Sequence, residues 1–66
     1  MYDVIIYELD TGKVESIPGK NMALNKGFQN AQKRLETVYQ RINGRYSAAI
    51  VDAGKFKIGD VYENNG

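Results

Sequence analysis

The chain has 66 residues, nine basic and eight acidic side chains, and neither cysteine nor histidine. A chain this short has room for one domain, 1–66, with a single core, and it hides only about 60% of its unfolded surface. Disulfides are excluded, zinc loses its preferred ligands, and a net charge of +1 commits the surface to neither nucleic acid nor an anionic membrane.

Small domains usually supplement their stability with disulfides, metals or oligomerisation. Here only oligomerisation or tight packing is left, and no cofactor is expected. The longest apolar run, Val4-Ile5-Ile6-Tyr7, is far too short to span a bilayer. No basic-then-apolar leader opens the chain, so a cytoplasmic protein is the expectation.

Residues 2–9 read as a strand, rich in valine, isoleucine and tyrosine. It is apolar on both sides, with Tyr2, Val4 and Ile6 pointing one way and Ile5, Tyr7 and Leu9 the other. Asp10-Thr11-Gly12 predicts a three-residue hairpin loop: aspartate starts the turn, and glycine takes the left-handed position. Residues 13–17 form the return strand. Pro18 ends it or lies on a sheet edge.

Asn21 is a candidate cap for a helix over 22–43. Its apolar positions are Leu24, Phe28, Ala31, Leu35, Val38 and Ile42, a single stripe at helical period, widened by Tyr39. Gly27 costs about 1 kcal/mol relative to alanine inside a helix. It marks either a later start, with Asn25 as cap, or a close approach to the sheet. Asn43-Gly44 is a stop signal. The outer face carries Lys26, Lys33, Arg34 and Arg41 among polar residues, as on most surface helices.

Residues 45–51 predict a third strand, Asp52-Ala53-Gly54 a second hairpin loop, and 55–63 a fourth strand. The polar tail 64–66 follows. The expected fold is α+β: hairpin 2–18, helix 22–43 and hairpin 45–63 (β-β-α-β-β). A four-stranded antiparallel sheet would be covered on one face by one helix. The first and third strands are expected as neighbours, because both are strongly apolar. In the second hairpin Val51 would face Lys55 and Ile50 would face Phe56. Ile50, Phe56, Ala48 and Ile58 would then meet the helix, since the other set contains Lys55 and Lys57. By the same logic Val4, Ile6 and Val14 meet the helix, and Ile5, Tyr7, Leu9 and Ile17 lie on the open face.

Nothing in the chain supports catalysis. Histidine and cysteine are absent, and Ser16 and Ser47 lack an activating base. Asp10 and Asp52 are explained as turn formers. Gly54-Lys55 does not complete a phosphate-loop pattern. The expectation is therefore a non-catalytic interaction module. It would homodimerise or bind another protein through Ile5, Tyr7, Leu9 and Ile17, because a contiguous exposed apolar patch marks a contact site. The alternative is a single-stranded nucleic-acid binder using Tyr7 for stacking and Lys13, Lys55 and Lys57 for phosphate.

Overall fold

A computed structural model describes residues 1–42 and 45–63, with side chains described through residue 34 and again from residue 45. The element order is β1 (Tyr2–Glu8), β2 (Val14–Met22), α1 (Leu24–Ile42) and β3 (Tyr46–Asp52). The fold is α+β, with a three-stranded antiparallel sheet in the order β2-β1-β3. The most apolar strand is thus central, with β3 beside it as expected. A fourth strand is not shown over 55–63, where turns and one isolated bridge, Lys13 to Val61, are found instead.

The first loop is one residue longer than expected. The Gly12 N–H donates to the Glu8 carbonyl at 2.8 Å, and the Glu8 N–H to the Lys13 carbonyl at 2.9 Å, so Leu9 joins the loop. Gly12 does take the left-handed conformation, with φ 76°. Thr11 organises the turn: its hydroxyl donates to Glu8 Oε1 at 3.1 Å and accepts from the Lys13 N–H at 3.2 Å. The longer loop shifts the register, so Tyr7 faces Val14. Val14 therefore lies on the face away from the helix, correcting its expected position. A one-residue slip moves a side chain to the other face.

β2 also runs past Pro18 to Met22. It is an edge strand, where the missing proline donor can face outward. The helix begins at Leu24, and its first bond runs from the Gly27 N–H to the Ala23 carbonyl. Ala23 therefore stands in the capping position, not Asn21. Asn21 instead has φ 54° and lies within β2, one residue before its end. The expected helix end and stop at Asn43-Gly44, the tail 64–66, and the side chains of Leu35, Val38, Tyr39, Arg41 and Ile42 lie outside what is described.

The helix covers one face of the sheet, where Val4 and Ile6 are buried. Gly27, itself buried, faces the sheet: a Cβ there would lie 3.6 Å from Ile50 Cδ1 and 3.7 Å from Val4 Cγ2. Seating glycine against the sheet turns the next residue to the flank, because successive helical residues are about 100° apart. Phe28 is consequently 64% exposed and Leu24 47% exposed, which corrects their expected place in the core.

The other face is covered by the C-terminal segment. β3 forms one edge of the sheet, yet residues 59–62 bond to the start of β2 at the other. The Val14 N–H donates to the Asp60 carbonyl at 2.8 Å, Gly59 N–H to Val14 at 2.9 Å, and Tyr62 N–H to Gly12 at 2.8 Å. The chain between must traverse the sheet. Ile5, Tyr7 and Val14 are buried there against Phe56 and Tyr62 of the segment, with Ile17, Ala49 and Val51 around them. The Tyr62 ring lies 4.8 Å from Tyr7 and 5.5 Å from Phe56, centroid to centroid. Phe56 is thus on the face opposite to the expected one, and Ile58, expected under the helix, is 68% exposed.

Candidate interaction surface

The predicted site residues are not brought together on a free surface. Ile5 is fully buried and Tyr7 is 7% exposed. Ile17 is half-buried against the same cluster, and Leu9, in the loop, is half-exposed. An open apolar sheet face around Ile5, Tyr7, Leu9 and Ile17 is therefore corrected: the chain supplies its own cover. Tyr7 presents no ring to a nucleic base, since its side chain packs on Tyr62. Lys13, Lys55 and Lys57 are exposed, but they surround no stacking platform at Tyr7.

Asp3 directs the crossing, and the sequence reading gave it no role. It is 5% exposed on the segment side of β1. Its carboxylate accepts the Gly54 N–H at 2.9 Å through Oδ2 and the Asn21 N–H at 2.8 Å through Oδ1. These bonds hold its pKa below the usual 3.8, Gly54 contributing most and Asn21 next. Burial opposes them, and Lys20 assists. Two amides at opposite sheet edges are thereby tied to the central strand. The signal was available in the sequence: one acidic residue inside Tyr2-Asp3-Val4-Ile5-Ile6-Tyr7. A buried carboxylate demands partners.

Exposed apolar side chains occur on the crossing segment, at Ile58 and Val61, and on the helix side, at Leu24 and Phe28. Phe28, Ala31 and Gln32 of α1 and Ala48 and Ile50 of β3 line a mostly apolar groove of about 440 Å³. Phe28 stands on its rim, with Leu24 one turn earlier on the helix. Leu24 and Phe28 are four residues apart and so share a helix flank. The groove opens beside the outer edge of β3, which no described residue pairs. A second cleft of about 630 Å³ lies on the opposite side of the molecule's core, between Lys20, Phe56, Lys57 and Ile58. Its one buried ionisable group, Asp3, is already satisfied by two backbone donors.

Among the described residues, no group of three or more acidic, histidine or cysteine side chains could hold a metal ion, and no helix is long and apolar enough to cross a membrane. No family model matches the chain, and neither a curated protein nor a solved structure matches it.

Proposed function

We propose that the protein is a small non-catalytic interaction module that engages a protein surface through the helix-side groove. The observation that carries this reading is the exposure of Phe28, 64%, next to Ala31, Ala48 and Ile50. Single exposed apolar residues are common. Here the exposed ring lines the apolar groove, and Leu24 shares its helix flank. Burying a side chain of this size is worth roughly 1.5–3 kcal/mol, a large share of a small domain's stability. Aromatic anchors of this type dominate protein interfaces.

The reading shares its logic with the sequence expectation but moves the contact to the other face. Nucleic-acid binding is the weaker alternative, because Tyr7 is covered and the net charge is +1. Light scattering over a concentration series, with titration of a single-stranded oligonucleotide in rising salt, separates the two. Association that persists at high salt and weakens in Phe28→Glu supports the module. Steeply salt-dependent oligonucleotide binding, lost when Lys55 and Lys57 become Glu and untouched by Phe28→Glu, overturns it.

A further inference from the structure

We infer that the partner is a second copy of this chain, added edge to edge along β3 to make a continuous six-stranded sheet; this rests on the reading of the groove as an interaction surface. The two sheet edges are built differently. The β2 edge carries protective devices: Pro18, the charged Glu15 and Lys20, and irregular pairing with β1 at several points. Its start is also bonded to residues 59–62. β3 has no proline and no irregular pairing, and its one charge is at its last residue, Asp52. It pairs with β1 in unbroken register from Tyr46 to Asp52, and its centre is Ser47-Ala48-Ala49-Ile50. A regular edge that is uncharged along its centre is a template for another strand.

The backbone states which groups are free. The Arg45 carbonyl accepts from Leu9 and the Ala53 N–H donates to Met1, so odd-numbered positions of β3 face β1. Alternation then points the N–H and C=O of Tyr46, Ala48, Ile50 and Asp52 outward. An antiparallel second copy centred on Ala49 satisfies all of these groups, pairing Ala48 with Ile50 and Tyr46 with Asp52. The small side chains at the centre impose no steric barrier. Arg45 and Asp52 bracket the strand with opposite charges, so antiparallel pairing sets each basic end against an acidic end. Parallel pairing would set like against like. The same two-fold axis brings both grooves to the seam on one face of the sheet. Each Phe28 then flanks the other copy's Ala48 and Ile50. Such self-complementary contact is the hallmark of a two-fold dimer.

Hydrogen exchange across a dilution series, read beside sedimentation, tests this on the intact chain. The expected result is a mass that doubles with concentration. The amides of Tyr46, Ala48, Ile50 and Asp52 should gain protection in step, while those of Ser47, Ala49 and Val51 stay protected throughout. Ala48→Pro removes an outward donor without touching the β1 ladder and should abolish the dimer. Phe28→Glu, at an exposed helix position, should raise the dissociation constant at least tenfold. A chain monomeric up to millimolar concentration overturns the inference. So does a dimer whose even-numbered β3 amides exchange as in the monomer, or one indifferent to Ala48→Pro. None of these outcomes touches the groove reading itself, which fails only by the salt-dependent oligonucleotide result above.

Discussion

Asp10-Thr11-Gly12-Lys13 and Asp52-Ala53-Gly54-Lys55 are close to identical in pattern, and both glycines are left-handed, with φ 76° and 80°. The first closes a hairpin; after the second the chain leaves the sheet and crosses it. The turn chemistry is thus the same and the outcome is not. The difference lies in what captures the glycine N–H. Gly12 donates to Glu8, four residues back on the adjoining strand. Gly54 donates to the carboxylate of Asp3, more than fifty residues away in sequence but on the central strand. A turn motif specifies a change of direction. A distant partner specifies which direction follows.

The largest expected effect comes from removing that partner. Asp3→Ala leaves two amides without acceptors, each at a cost of about 1–3 kcal/mol, and denaturant unfolding should show the loss. The pH dependence has a definite sign. Because the folded pKa is lowered, the carboxylate's contribution is present above the usual 3.8 and fades as pH falls through the folded value. The stability gap between wild type and Asp3→Asn should therefore be full at neutral pH and close under acid. A gap constant with pH would deny the carboxylate its role.

The two glycines can be compared directly. A Cβ on Gly12 would collide with the backbone carbonyl oxygen of Tyr62, whereas one on Gly54 meets nothing within 4 Å. Gly54→Ala should cost only the left-handed strain, about 1–2 kcal/mol. Gly12→Ala should cost more and should lift the crossing segment, detectable as altered Tyr7–Tyr62 ring contacts by NMR. Equal costs would mean that the segment does not bear on Gly12.

The smallest expected effect is a gain. Gly27 lies in a helix interior, and a Cβ there finds ordinary van der Waals distances to Ile50 and Val4. Gly27→Ala should stabilise by about 0.5–1 kcal/mol in thermal unfolding. A loss would show that the helix needs a still closer approach than these contacts indicate.

Much of the architecture was legible. β1, β3 and α1 lie within a residue or two of where propensity and periodicity put them, and the left-handed Gly12 and Gly54 were readable from turn chemistry, whereas the positive φ of Gly59, inside the expected fourth strand, was not. Gly27 was read either as a later start capped by Asn25 or as a close approach to the sheet; the helix starts at Leu24, and a Cβ at Gly27 would make only ordinary contacts with Ile50 and Val4. What was not legible is non-local. The crossing depends on Asp3, and periodicity says nothing about a carboxylate reaching a turn at the far end of the chain. Val14 changed faces through one added loop residue, Leu9, an error that period-two alternation passes to any side chain beyond the turn. The groove was hidden because Leu24 and Phe28 obey helical spacing. Spacing identifies a stripe but not how far the helix is rolled when a glycine seats against the sheet.

The crossing segment contributes no strand, yet it seals half of the interior. A single peptide-bond cut in the exposed turn after Asp52 would leave every helix and strand intact on one fragment, so its circular dichroism would change little. That fragment would nevertheless be sticky, with Ile5, Tyr7 and Val14 stripped of their lid. Cover for one sheet face is consequently a property of chain continuity: proteolysis at one loop would bare that face without unravelling the sheet.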